Sequence, residues 1–468
     1  MELTCLLLLP FLPSLATAET VLGAYIFHRH GDRTTKSYSP VSLTPLGASE
    51  VFASGSWYRD RYISSNASTQ INGIASDIAV LSQLSVTSPI DNVLQNSAQV
   101  FLQGLYPPAG TASAQVLANG TTVEAPFGGY QYIPVNAVST AASSGNAEGS
   151  EWLQGGSGCG NAVVSSNNYF SSDEYLATLA STRDFYQTLL PVYNGTFPSA
   201  KANFQNAYII YDFVHVSMIH NASNTIPSET LLTKESLHQL QTRADQHEWG
   251  LAYNSSDTIR AIGGAVLAAQ IVQALNGTLT APVVQASAQK LTVQFGAYGT
   301  FMSFFGLSQA TAASPDFYGI VDYASSMTFE LVTNASLSSS STVNPDDVSV
   351  RFLFANGTAS DVNTPQAFPL FGQSETTIPW KTFVSEMDKF AIGSTAAWCQ
   401  ACGNSTGLCA GTSTSTTGGS GSTASTTDSG SGGISLPVAG VIGALVTLVV
   451  ILAVEGLVMA VCKLRLVK

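Results

Sequence analysis

The sequence predicts an α/β domain with a mostly helical insertion, followed by one C-terminal transmembrane helix. Strand-like and helical patterns alternate at both ends of a region that extends to about residue 410, with helical patterns between them. Residues 411–433 contain only Gly, Ser, Thr, Ala and one Asp, which is typical of a flexible stalk. The next 21 residues, 434–454, carry no charge and are long enough to cross a bilayer.

The first elements follow from local patterns. Residues 20–27 form an apolar, β-branched and aromatic run that predicts a buried strand, central and parallel in its sheet. A helix over 43–62 is expected next, because Thr44-Pro45 places a proline at an early helical position. A second helix should include 97–105 and end before the following prolines.

The predicted insertion, a helical cap, covers roughly residues 110–275. It starts with Gly-, Ser- and Ala-rich loops over 109–165. Helical patterns then follow at 171–192, 200–220, 236–252 and 258–275. Strand patterns at 290–295, 326–333 and 349–354, with a helix at 300–307, return the chain to the α/β domain.

Both ends carry targeting signals. Residues 1–18 end in Ala16-Thr17-Ala18 and are predicted to be a signal peptide, which leaves an ectodomain over 19–410. The membrane segment is predicted at 434–461, followed by a basic cytoplasmic tail at 462–468. We therefore expect a single-pass protein that reaches the cell surface through the secretory pathway, with its N-terminal domain outside.

The formal net charge is −13, and only 10% of the residues are charged. This acidic balance argues against nucleic acid as a partner. The C-terminal helix makes the membrane a predicted partner, while the sequence does not define an oligomeric state. Any phosphate site has to be a local basic pocket within a repulsive overall field.

Secretion is supported by cysteines and glycosylation sequons. Four ectodomain cysteines, an even number, predict structural disulfides with three pairings open: Cys159, Cys399, Cys402 and Cys409. Nine Asn-x-Ser/Thr sequons start at Asn66, Asn119, Asn194, Asn221, Asn254, Asn276, Asn334, Asn356 and Asn404.

The chemically informative segment is His28-Arg29-His30-Gly31-Asp32-Arg33-Thr34, at the carboxyl end of the first strand. Open parallel sheets place ligand sites at this end. Two arginines beside a histidine form an anion site, since guanidinium groups bind phosphate oxygens bidentately and a neutral imidazole can attack phosphorus. The alternative is a solvated turn with an ion pair between Asp32 and an arginine.

The RHGDRT string, LTPLG at 43–47 and WYRDRY at 57–62 resemble the opening of the histidine acid phosphatases, a phosphoglycerate-mutase-like family that includes fungal phytases. Weaker matches continue in order to WCQACGN at 398–404. The resemblance implies a phosphoglycerate-mutase-like α/β domain with a helical cap. It also implies phosphomonoester or other anionic substrates, His30 as the nucleophile, and Arg29 and Arg33 as phosphate-binding residues. No metal or cofactor is implied, and we predict none.

Three positions depart from the family pattern. Alignment on Ser97-Ala98-Gln99 places Thr87 where a third phosphate-binding arginine is expected. Alignment on 304–307 places Tyr298 and Gly299 where a His-Asp pair would bind phosphate and protonate the leaving group. Losing a general acid costs about 10²–10⁴ in rate.

Other residues could compensate for these losses. Arg183, Arg243 and Arg260 lie near the cap helices, whereas the remaining histidines are expected to be partly buried helix residues without a ligand role: His215, His220, His238 and His247. Three hypotheses stay open: a phosphomonoesterase working through His30, a pseudophosphatase that binds an anion, and a structural surface glycoprotein.

Overall fold

The computed structural model describes residues 19–138, 157–220, 228–282, 285, 287–337 and 342–410. The predicted signal peptide (1–18), stalk (411–433), membrane segment (434–461) and tail (462–468) lie outside these residues. Within them, Thr258–Thr280 is the one helical stretch apolar and long enough to cross a bilayer, and it is largely buried inside the protein.

A mixed sheet forms the centre of the α/β domain, with strand order β10-β8-β7-β1-β6-β2-β5 and β9 paired to β8. A separate short hairpin joins β3 and β4. The strands are β1 (Thr20–Arg29), β2 (Leu84–Pro89), β3 (Gln115–Val116), β4 (Thr122–Val123), β5 (Asn136–Val138), β6 (Leu291–Gly296), β7 (Ser326–Thr333), β8 (Val348–Ala355), β9 (Gln366–Ala367) and β10 (Thr377–Pro379).

Strand β1 is central, as predicted, but it is parallel only on one side. It pairs in parallel with β6 and antiparallel with β7. The predicted parallel pairing therefore holds for β6 but not for β7, because β7 and β8 form an antiparallel meander. The parallel half, β1, β6, β2 and β5, ends at the edge where His30 lies.

The helices are α1 (Pro45–Tyr62), α2 (Asn92–Leu105), α3 (Pro126–Gly129), α4 (Gly160–Asn168), α5 (Asp173–Ser181), α6 (Arg183–Thr188), α7 (Leu190–Tyr193), α8 (Ala207–His220), α9 (Lys234–Ala252), α10 (Ile262–Thr280), α11 (Tyr298–Leu307), α12 (Trp380–Met387) and α13 (Thr395–Cys402). Helices α1 and α2 cover one face of the sheet, where they pack on Ile26 and Val293. Helices α10, α11 and α12 cover the other face, where they pack on Phe27 and Phe329. Burial on both faces explains why β1 is a continuous apolar run.

Helices α5 to α9 form the cap, with a core of their own that includes Tyr186, Phe204, Ile210 and Leu240. The predicted boundary of 110–275 extends too far along the chain. Helix α10 belongs to the α/β domain, since Leu267 and its apolar neighbours pack on the sheet and not on the cap.

The four ectodomain cysteines pair as Cys159–Cys402 and Cys399–Cys409, one of the three predicted alternatives. The first bond ties the start of α4 to the end of α13. Among the sequon asparagines, Asn254 and Asn404 are half-buried and Asn221 lies outside the described residues. The remaining six are exposed: Asn66, Asn119, Asn194, Asn276, Asn334 and Asn356.

Candidate active site

His30 follows β1 directly and is 3% exposed. Its Nδ1 lies 2.8 Å from the carbonyl oxygen of Gly31. Because a carbonyl only accepts, Nδ1 carries the proton and Nε2 keeps its lone pair. Burial lowers the pKa of His30 well below its usual value, and the charges of Arg29 and Arg33 lower it further. The imidazole is therefore neutral and able to act as a nucleophile.

The loop that holds His30 is fixed against the start of α1. A Cβ atom at Gly31 would lie 2.2 Å from the carbonyl oxygen of Gly47, so the two backbones touch where neither residue has a side chain. Thr44 caps α1 by accepting from the Gly47 N–H at 3.0 Å, and its hydroxyl donates to the Asp32 carboxylate. These contacts give the LTPLG segment a structural role.

Arg29 lies between two aromatic rings. Its guanidinium carbon is 5.4 Å from the ring centre of Tyr298 and 4.7 Å from that of Tyr323. One Nη donates to the carbonyl oxygen of Val321, while the buried Nε has no hydrogen-bond partner among the residues that the structure describes. A buried, unpartnered guanidinium N–H is costly, which is consistent with a site that receives an anion.

Arg33 is held by the cap. Its Nη2 lies 2.7 Å from Asp212 Oδ1 and 3.1 Å from the Tyr208 hydroxyl, and both partners lie on α8. Burial would raise the pKa of Asp212, but Arg33 and the Lys36 and Thr35 donors hold it below its usual value. The Nε of Arg33 is buried without a partner, like that of Arg29.

Tyr298 lines the site at the first turn of α11, immediately after β6. Its hydroxyl donates to Glu248 Oε2 at 2.7 Å, while Glu248 Oε1 accepts from His247 at 2.8 Å. Burial raises the pKa of Tyr298 well above its usual value, and Glu248 raises it further. Tyr298 is thus poorly suited to be an acid. A Cβ at Gly299 would meet nothing within 4 Å, so packing does not require glycine there.

Thr87 does not reach His30. In the sheet register Thr87 and Phe27 both pair with Gln294, which places Thr87 three residues before the level of His30. Three strand residues span about 10 Å. An arginine could bridge part of that distance, whereas a threonine is too short.

The three arginines considered as replacements for that residue stay in the cap. Arg183 is exposed, Arg243 donates to Gln246, and Arg260 donates to the Gly250 carbonyl and to Ser165. None of these contacts involves His30, Arg29 or Arg33.

The cap supplies site residues that the sequence interpretation missed. Tyr208, Asp212 and His215 project from one face of α8 at i, i+4 and i+7, and the first two bind Arg33. His215 is half-buried on its helix, as expected, and shares Tyr323 as a ring neighbour with His30, while His238 is exposed. The i, i+4, i+7 spacing was visible in the sequence, but it does not indicate what such a face contacts.

A contact between a histidine of the cap and an aspartate lies beside the loop that holds His30. His220 Nε2 is 2.6 Å from Asp32 Oδ2, and Asp32 is fully buried. The other carboxylate oxygen, Asp32 Oδ1, has no hydrogen-bond partner within the described ranges of the chain. The sequence alternative of an Asp32–arginine ion pair does not form, because Arg33 pairs with Asp212.

Comparisons with known proteins agree with this architecture. The sequence model of the histidine phosphatase superfamily (branch 2) matches residues 35–355. The phytase of Citrobacter braakii is similar in fold, with a TM-score of 0.54, 11% identity, and coverage of 82% of this chain and 99% of that chain. The apo phytase of Hafnia alvei has a TM-score of 0.52 and 13% identity, with coverage of 82% of this chain and 98% of that chain. The phytase of D. castellii has a TM-score of 0.51 and 14% identity, with coverage of 85% of this chain and 84% of that chain.

A comparison with curated protein sequences gives no match. The superfamily match nevertheless covers most of the chain, beginning directly after the 28–34 segment, and agrees with the fold. This chain therefore belongs to branch 2 of the histidine phosphatase superfamily and has a phytase-like, phosphatase-type fold.

Proposed function

We propose that this protein hydrolyses phosphomonoesters through a phosphohistidine formed on His30. One observation carries the proposal: the free Nε2 of a neutral His30 lies beside Arg29 and Arg33, whose buried Nε atoms have no partner in the described part of the chain. A phosphate group bound beside the nucleophile would accept from these unpartnered donors.

The reaction has two steps. His30 Nε2 attacks phosphorus, the bond from phosphorus to the ester oxygen breaks, and the alcohol leaves with a proton from an acid. Water then attacks the phosphohistidine, and inorganic phosphate leaves with regeneration of the neutral imidazole. Arg29 and Arg33 stabilise the charge on the phosphoryl oxygens in both steps.

The local charges favour a substrate with one phosphate group. The cations that act on His30 are Arg29, Arg33 and Lys36, and Arg33 is already paired with Asp212. Glu248 adds a second carboxylate at the same site. A Hafnia alvei phytase has been solved with myo-inositol hexakis sulphate. For this chain we propose faster turnover of simple monoesters than of inositol hexakisphosphate, because Asp212 and Glu248 would repel further phosphates and, of the three cations, Lys36 alone would be left to bind them.

The test uses the purified full chain with p-nitrophenyl phosphate and inositol hexakisphosphate, beside His30→Ala and a matched His238→Ala control. His238 is an exposed helix residue away from the nucleophile loop. We expect turnover and acid-sensitive phosphoprotein in the wild type and in His238→Ala, and neither in His30→Ala. Phosphate binding without turnover in the wild type would instead identify an anion-binding protein on a phosphatase fold.

We also propose that the protein is a glycosylated, single-pass surface protein with its N-terminal domain outside. The two disulfides are typical of an oxidising compartment. Six sequon asparagines are exposed, and 434–461 has the composition of a membrane span. A mass decrease on treatment with N-glycosidase, together with resistance to carbonate extraction, is the expected result. A carbonate-soluble chain of unchanged mass would contradict this proposal.

A further inference from the structure

An alkyl phosphate needs a proton donor for its leaving oxygen, and the family position for that donor holds Gly299, which has no side chain, with Tyr298 beside it. The proton of Tyr298 is already donated to Glu248. Both oxygens of Glu248 are occupied, by Tyr298 and by His247. Asp212 is likewise saturated by Arg33, Thr35 and the Lys36 N–H. None of these groups is free to protonate an alcohol.

Helix α8 brings another titratable group to the same place. His215 lies one helical turn beyond Asp212, the residue that binds Arg33. Side chains three residues apart on a helix are about 5–6 Å from one another. His215 therefore projects towards the part of the site that Arg33 occupies.

The ring of His215 is fixed by stacking, with its edge free. Tyr211 stacks on it at 5.3 Å and Tyr323 at 6.2 Å, with interplanar angles of 4° and 14°. Neither ring nitrogen has a hydrogen-bond partner within the described part of the chain. An imidazole held by its faces, with both nitrogens unoccupied, is available to a ligand.

The distances from Tyr323 to the rings of His30 and His215 set an upper limit on the separation of the two histidines. Tyr323 also lies 5.7 Å from the His30 ring, so the two ring distances limit the separation between His30 and His215 to about 12 Å. A phosphoryl group needs an attack distance of about 3 Å on one side and a donor distance of about 3 Å on the other. With the lengths of its own bonds added, such an arrangement is shorter than this upper limit.

We propose that His215 is a catalytic residue that protonates the leaving oxygen, in place of the missing acid. This inference rests on the proposed function. In the first step the proton moves from a His215 ring nitrogen to the ester oxygen as the bond from phosphorus to oxygen breaks. In the second step the neutral His215 takes a proton from the attacking water, which restores its charge.

The surrounding charges define the pH range. Burial lowers the pKa of His215 below its usual value and Arg29 acts in the same direction, while Asp322, Asp212 and Asp32 oppose them. The pKa of His30 is lowered further, because it is fully buried beside two arginines. Between these two values His30 is neutral and His215 is protonated, so the enzyme works in acid. Activity that needs the acid is lost as the pH rises through the pKa of His215.

The experiment compares two esters in one preparation of the full-length His215→Gln protein. p-Nitrophenolate needs almost no protonation to leave, whereas an alkoxide has to be protonated as it leaves. In a single turnover, which reports the first step alone, we expect release of the alkyl alcohol to slow by about 10²–10⁴, while release of p-nitrophenolate changes little. The ratio of the two rates is independent of the folded fraction, so partial misfolding does not affect it. His238→Gln is the matched control and keeps the wild-type ratio.

Several outcomes would overturn the inference. An unchanged ratio in His215→Gln removes the role of His215 while the proposed function stands. A ratio that falls in Asp32→Asn but not in His215→Gln assigns the acid to the buried Asp32–His220 pair instead. A wild type inactive on both esters overturns the proposed function, and the role of His215 with it.

Discussion

Replacing Gly47 with alanine tests how closely the nucleophile loop has to be held. A Cβ atom at position 47 would lie 2.0 Å from the carbonyl oxygen of Asp32, whereas real Cβ contacts essentially never fall below 3.0 Å. The three nearest atoms are all backbone atoms of Asp32, so the loop that holds His30 and α1 have to separate by about 1 Å. A displacement of about 1 Å at a reacting group costs on the order of 10²-fold in rate. Overpacking of this kind costs about 1–3 kcal/mol of stability.

The assay is kcat on p-nitrophenyl phosphate per mole of folded protein, with the free energy of unfolding measured in urea. Gly55→Ala is the matched control on the same helix, because its Cβ would lie 2.1 Å from the Phe101 carbonyl oxygen. This clash lies between α1 and α2, away from the loop. We expect similar losses of stability in the two variants, but a loss of kcat only in Gly47→Ala.

Two results would refute this reasoning. If Gly47→Ala retained wild-type kcat, close contact between the loop and α1 would not be needed to position His30. If Gly55→Ala lost kcat to the same extent, the effect would come from general loosening of α1 and not from the nucleophile loop.

Three further predictions concern stability. Burial lowers the pKa of His28 from 6.5 to about 4, so about 3 kcal/mol of stability that is present above pH 6.5 is lost as the pH falls towards 4. In urea unfolding, the stability of His28→Phe should depend less steeply on pH than that of the wild type. An equal slope in the two proteins would contradict this prediction. Burial raises the pKa of Asp245 from 3.8 to about 6, so stability is lost as the pH rises between these values. In urea unfolding, Asp245→Asn should therefore be about 2 kcal/mol more stable than the wild type at pH 7 and equally stable at pH 3.5. The figure of about 2 kcal/mol allows for the partial exposure of the side chain. Asp212→Asn leaves Arg33 as a buried, uncompensated charge and should lower the free energy of unfolding by about 3–5 kcal/mol. Inorganic phosphate should restore part of the lost thermal midpoint of this variant. If phosphate left the midpoint unchanged, Arg33 would not be in the anion site.

Local patterns predicted elements whose signal is contained in their own residues. The apolar run at 20–27 became β1, and the Thr44-Pro45 start became the capped first turn of α1. Predictions were poorer where local signals were weak. Strand β2 was missed because its sequence, LSVTSP, lacks an apolar run. The single helical segment expected at 171–192 is divided into α5, α6 and α7, the last with a proline in its first turn.

The sequence by itself predicted the candidate nucleophile loop, because His30, its arginines and Gly31 are contiguous and follow a strand, and open parallel sheets bind ligands at the carboxyl ends of their strands. It also identified Tyr298 as a departure, through its distance from the following helix motif. Only the tertiary structure decided what faces His30 from the cap. Asp212 and His215 lie about 180 residues further along the chain than Arg33, and no local pattern encodes the packing of α8 against the loop. The disulfide pairing was open for the same reason, since Cys159 and Cys402 meet only when the chain closes over 243 residues.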